Sequence, residues 1–262
     1  MIQHLLDEHA QTNAICHINP ITKLTLGIGT LIITLISPSP VIPILSAIFL
    51  SGTIIFIAKI PGHFFFKLLL IPAGFTIISV TTIILLTGGD TILWQMPLTS
   101  WLILTISIEG IEKSIQILAR VLGGTISLLF ISLTIPFTDI IQIMNRIKVP
   151  QELTDLMTIL YRNIFVLLSQ ATQIHAAQVM RLGYSHPKEA TESFAMLCGS
   201  LFISSWNAGD DLIRAMDCRC YNGKFAPLTQ VNPVHWRSMI PVILVLAFLA
   251  SSLFIIKGGI TQ

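Results

Sequence analysis

Long apolar runs, broken by short stretches bearing proline, glycine and lysine, fill the chain up to about residue 136 and return after residue 237. The charge collects between them. A helix needs about 20 apolar residues to cross about 30 Å of hydrocarbon. On that measure the runs predict five crossings, at about 23–37 (extended by its flanks), 41–58, 68–87, 115–136 and 238–256. Pro38-Ser39-Pro40 predicts a tight turn between the first two. Pro72 and Gly74 predict a kink in the third, tolerable where neighbouring helices cover the freed backbone groups. Gly123-Gly124 predicts a close helix–helix approach in the fourth. Arg120, near one end of that span, reads as a side chain snorkelling to the interface. Residues 1–20 are polar and read as a tail or short surface helix. Residues 90–114 fit neither class. Trp94 and Trp101 suit the headgroup region, and the apolar stretch 98–108 is too short to span, so an interfacial or re-entrant helix is expected there.

Region 137–236 carries two further helices. In the first, about 151–181, Leu153, Leu156, Met157, Leu160, Ile164, Leu167, Leu168, Ala171 and Ile174 recur at the three-and-four spacing of one helical face, with Asp155, Thr158, Arg162, Ser169 and Gln173 opposite. Pro150 and Glu152 suit its start, and Gly183 suits the position just past its end. Such a helix is about 45 Å long. The second, about 190–220, is apolar from Phe194 to Trp206 and charged from Asp210 to Arg219. Its end offers Asn222 or Gly223 for a left-handed turn. The expected organisation is a tail and four spans at 1–136, a cytoplasmic region at 137–236 and a last span at 237–262.

Composition agrees with the pattern. Of the 262 residues 53% are hydrophobic and 11% charged, against about 25% charged in soluble domains. The fold class is therefore an all-α polytopic membrane protein of about five transmembrane helices plus long cytoplasmic helices. A net charge of +2 argues against a nucleic-acid partner. Asp7 and Glu8 are the wrong chemistry for a signal peptide's positive n-region. Four cysteines, Cys16, Cys198, Cys218 and Cys220, suggest no disulfide framework. With the N-terminus in the cytoplasm, all 15 basic residues except Lys113, Arg120 and Lys257 fall on the cytoplasmic side, which sets the orientation.

Both helices of the 137–236 region end alike. One closes Met180-Arg181-Leu182-Gly183-Tyr184, the other Cys218-Arg219-Cys220-Tyr221-Asn222-Gly223. A lone arginine at a helix C-terminus commonly just complements the helix dipole. Two in matching frames point instead to a partner, since the guanidinium fork suits carboxylates or carbonyls. Other chemistry is sparse. His4, Asp7, Glu8, His9, Cys16 and His17 match no closed metal spacing, and Cys218-x-Cys220 lacks a second pair. His175 reads as an ordinary interface residue. Glu109 and Glu112 read as a solvated helix end. No nucleophile–base set and no glycine-rich phosphate loop is visible.

With these residues in view, the chain resembles the transmembrane T component of energy-coupling factor (ECF) transporters, most closely the CbiQ branch associated with cobalt uptake. Asn19-Pro20-Ile21-Thr22-Lys23-Leu24 is similar to the family's Pro-x-x-Lys-Leu start of the first span. Leu160-Tyr161-Arg162-Asn163-Ile164-Phe165-Val166-Leu167-Leu168 is similar to its Tyr-Arg-Tyr-Leu-Phe-Val-Leu segment. The two arginine-bearing ends resemble its paired Ala-Arg-Gly signatures, although Leu182 and Cys220 follow the arginines here. Ser169 and Gln170 stand where the family often has an acidic residue.

The resemblance implies a non-catalytic subunit of the inner (plasma) membrane that needs no cofactor. Its helix ends, Arg181, Gly183 and Tyr184 with Arg219, Tyr221 and Gly223, would dock on two cytoplasmic ATP-binding-cassette ATPases. It would pass their motion to a separate substrate-binding membrane subunit, for cobalt or, alternatively, a vitamin or another metal. A stand-alone secondary transporter is the competing class. It would need ionisable groups at mid-bilayer, which the spans scarcely offer.

Overall fold

The computed structural model describes residues 13–15, 18–86, 92–99, 102–221 and 236–260. The chain divides into one unit of residues 1–140 with 232–262 and a second of residues 141–231.

The first unit is a bundle of apolar helices. α1 (Pro20–Ile36) begins with Pro20 in its first turn, behind Asn19, whose side chain accepts from the Ile21 amide. α2 (Val41–Gly52) runs on as a π-helical turn, Thr53–Ile57. α3 (Gly62–Leu86) continues through Pro72, and Thr76 donates to the carbonyl of Pro72 at 2.7 Å. α4 (Ile108–Thr134) is the hub, packed against α1, α2 and α3; α8 (Trp236–Ile260) lies against α1 and α2. Among the described residues, Gly62–Leu85 and Ile108–Thr134 are long and apolar enough to cross a membrane, and Pro20–Ile36, Val41–Ile57 and Met239–Leu253 are shorter apolar helices.

Leu26, Leu50, Ile54, Phe65, Ile126, Phe130 and Leu133 form the centre of this unit. Around them lie fully buried hydroxyls. Thr30, Ser46, Ser127 and Thr134 each donate to a carbonyl on their own helix, and Thr30 also reaches Ser127 on α4. Small polar residues let helix backbones approach where burying apolar surface does not itself drive association. Gly123 shows how close: a Cβ there would stand 3.0 Å from the Pro43 carbonyl oxygen of α2. Gly124, its neighbour, faces open space.

One expectation needs correction. Of the stretch 98–108, residues 98–99 and 102–107 are strand and not helix. They belong to a β-hairpin, β1 (Ile92–Thr99) antiparallel to β2 (Leu102–Ser107), with Trp94 opposite Ile106 and Met96 opposite Leu104. Ile103, Thr105 and Ile106 are β-branched, which favours strand over helix. Ser107 then caps α4, accepting from the Gly110 amide at 3.0 Å. Arg120 has fixed partners that its sequence position did not reveal. Its Nε and Nη2 donate to the Ser37 carbonyl at 3.1 and 2.6 Å, and Gln116 donates to that of Pro38. Together they pin the Pro38-Ser39-Pro40 turn to α4.

Lys23 is buried, and its ammonium donates to the Thr134 carbonyl at 3.1 Å where α4 ends. Asn13 donates to the same carbonyl and to that of Leu133. The first-span motif is thus a tie between the start of α1 and the end of α4. Asp139, in the first turn of α5 (Phe137–Arg146), is half-buried; burial raises its carboxyl above the usual range, and Lys23 partly opposes this.

Candidate functional site

The second unit is built on two long helices, α6 (Gln151–Met180) and α7 (Pro187–Cys218). They run antiparallel. Gln178 near the end of α6 donates to the Ser193 carbonyl near the start of α7 at 2.8 Å. Farther along, Ser204 donates to Gln170 at 2.9 Å. Gln170 therefore ties the pair through a neutral hydrogen bond. Tyr161 and Phe165, one turn apart on α6, meet edge to face at 5.1 Å. Few residues of this unit are buried. In α6 and α7 only Thr154 and Ser193 are, whereas Leu153, Leu156, Leu160, Ile164, Phe194, Phe202, Ile203 and Trp206 are exposed.

The two arginines sit in the same local geometry. Arg181 and Arg219 each occupy the C-cap, with φ/ψ of −91°/14° and −95°/11°. The next residue turns left-handed, Leu182 at φ 61° and Cys220 at φ 54°. At the first end the Leu182 amide donates to Val179 at 3.0 Å and the Gly183 amide to Gln178 at 2.9 Å. At the second, the Cys220 amide donates to Asp217 at 3.0 Å and the Tyr221 amide to Met216 at 3.1 Å. Each is a Schellman closure, which satisfies the last carbonyls of the helix. Both guanidinium-bearing residues are exposed.

Glycine or asparagine is the residue expected at the left-handed turn, and the structure corrects this. Leu182, not Gly183, turns left-handed at the first end, and Cys220, ahead of Asn222 and Gly223, does so at the second. A left-handed residue with a Cβ costs about 1–2 kcal/mol that glycine avoids. Gly183 serves another purpose. A Cβ on it would stand 2.6 Å from Ser193 Oγ, which donates to the Gly183 carbonyl at 2.8 Å. Tyr184 turns inward: its hydroxyl donates to Gln178 at 3.0 Å and its ring meets His175 edge-on at 4.7 Å. Gln178, Ser193 and His175 thus brace the first end. Sequence spacing did not single out Gln178 or Ser193, because their partners lie across the α6–α7 turn. An open recess of about 460 Å³ adjoins it, lined among others by Arg181, Leu182, His186, Glu189, Glu192 and Met196.

At the second end Tyr221 is half-buried, and its phenol is raised by burial and by the carboxylates of Asp155 and Glu152. In the antiparallel pair the end of α7 lies toward the start of α6. Gly223 lies outside the described residues, as do His4, Asp7, Glu8, His9, Cys16 and His17. Among the described residues no cluster of histidine, cysteine and carboxylate is arranged to hold a metal ion.

The apolar helices of the first unit are those of a membrane protein, and in the second unit each helix of the antiparallel pair ends on an exposed arginine. Residues 11–231 match the family model described as CbiQ, cobalt transport protein. The chain belongs to this family. It is 33% identical over 94% of its length to a fused cobalt transport protein CbiMQ of Methanocorpusculum labreanum, of which it spans 41%. It is 26% identical over 84% of its length to the cobalt transport protein CbiQ of Salmonella typhimurium, spanning 98% of it. It is also 35% identical over 51% of its length to the energy-coupling factor transporter transmembrane protein EcfT of Ruminiclostridium cellulolyticum, spanning 52% of that chain.

Proposed function

We propose that this chain is the coupling subunit of an ATP-driven importer, carrying cobalt in the reading its relatives' names favour. It sits multi-pass in the cytoplasmic membrane with the α6–α7 pair on the cytoplasmic side. Arg181 and Arg219 dock on two ATP-binding-cassette ATPases, and the chain itself contributes no catalytic group. The observation that carries this is the repeated cap, in which an exposed arginine is held in one backbone geometry at two places.

Spacing supports two motors. The arginines stand at opposite ends of α7, whose 32 residues give a separation of about 48 Å at about 1.5 Å per residue. That exceeds the diameter of a small domain, about 30 Å. The exposed apolar residues of α6 and α7 support a further membrane subunit as the receiver of the motion, because a soluble surface rarely leaves such a patch uncovered.

The test is Arg181→Glu with Arg219→Glu in the tagged protein, purified from its own host. The expected result is normal membrane insertion with loss of the ATP-binding-cassette chains, read by mass spectrometry and by ATP hydrolysis. Their retention at wild-type yield sinks the proposal.

A further inference from the structure

The cap geometry contains an apparent inefficiency. Leu182 and Cys220 hold a left-handed backbone that glycine would adopt without strain. The end of α5 has the same closure around Lys148, at φ 63°, but a lysine there keeps its charge in water. Leu182 has no such reason. It is 71% exposed beside Met180 at 83%, so it is strained and also leaves its apolar surface uncovered. Local structure explains neither. The packed contact with α7 shown at this turn is made by Gly183 and Ser193.

We infer that Leu182 and Cys220 are specificity-determining contact residues: the strained position is filled because its side chain enters the ATPase subunit that the adjacent arginine grips. This rests on the docking reading above and deepens it. The partner surface at the first end is an apolar socket for Leu182 bordered by a carboxylate for Arg181. Glu189 and Glu192 on the recess rim turn away an acidic approach from that side, so the carboxylate comes from the Arg181 side. At the second end the socket is small, since Cys220 is the side chain it takes. The two ends are then not interchangeable, although their backbones match.

The experiment uses Leu182→Gly, Leu182→Met and Cys220→Gly in the tagged full chain from its own host, beside the double arginine variant. Two quantities are read: thermal stability of the purified chain in detergent, and the amount of ATP-binding-cassette ATPase that co-purifies. Leu182→Gly is expected to raise the melting temperature while cutting ATPase retention about tenfold, as loss of one buried leucine implies. Cys220→Gly moves both readings the same way by less, and Leu182→Met keeps the ATPase. A fall in melting temperature for Leu182→Gly makes the residue structural and overturns the inference. Full retention with Leu182→Gly, while the arginine variant loses the ATPases, overturns it and leaves the docking reading standing. Full retention in both removes both.

Discussion

The two units solve opposite problems. In the bundle, polar atoms are the difficulty, and they are hidden: Thr30, Thr34, Ser46, Ser127 and Thr134 have no exposed surface, and Lys23 ends on a carbonyl. In the α6–α7 pair, apolar atoms are the difficulty, and they are left out: Phe202, Trp206 and Ile213 are 59–67% exposed. A bundle whose helices meet through glycine and hydroxyls is specified by its own packing. A helix pair with two buried residues is held chiefly by its turn, by Gln178, Ser193, Gly183 and Tyr184. The first is built to stay as it is. The second leaves its apolar residues uncovered.

That contrast can be broken most severely in the bundle. Gly123→Leu forces side-chain atoms into the Pro43 backbone of α2, already 3.0 Å from where a Cβ would lie. Backbone cannot rotate aside, so the cost is about 1–3 kcal/mol or more. The expected outcome is a sharp loss of monodisperse protein in detergent. Gly124→Leu, which meets nothing within 4 Å, should leave the yield nearly intact. Equal losses from both would mean that α2 and α4 do not meet as closely as described.

A smaller effect is expected at the other unit. Gly183→Ala places a methyl against Ser193 Oγ and displaces one hydrogen bond, worth about 0.5–1.5 kcal/mol. Amide exchange should quicken around residues 178–193 and stay unchanged in α1 and α4. Gly199→Ala is the converse. It lies in α7 with open space around it, and alanine there should stabilise the helix by about 0.5–1 kcal/mol. If Gly183→Ala slowed exchange at the turn, the bracing assigned to Ser193 would be wrong.

How much of this was legible depends on how local each cause is. The apolar helices follow from run length, and the arginine-ended pair from periodicity and motif. The hairpin at 92–107 did not, because a short apolar run reads equally as strand or helix. β-branched Ile103, Thr105 and Ile106 were the available signal. The role of Arg120 was hidden because its acceptor, Ser37, lies 83 residues away. At the helix ends a preference for glycine at left-handed positions pointed to Gly183, Asn222 and Gly223. The chain instead spends strain on Leu182 and Cys220, and no propensity rule anticipates a residue kept against its propensity.

The smallest effect lies where the bundle meets the start of α5, and it has a definite sign. Burial raises the Asp139 carboxyl above 3.8, with Lys23 opposing. Between that value and the folded one, the native chain binds more protons than the unfolded chain, so stability falls as pH rises. Well below 3.8 both states are protonated and the difference vanishes. Asp139→Asn removes the ionisable group, so its melting temperature should exceed the wild type's at neutral pH, the gap closing as pH is lowered toward 4. Lys23→Met, which removes the one positive charge that opposes burial, should widen that gap when the two variants are combined and compared with Lys23→Met alone. A gap that grew on acidification would mean that the Lys23 ammonium outweighs burial. Asp139 would then be a stabilising partner of the first-span motif, and the bundle would not be hiding its charge at a cost there.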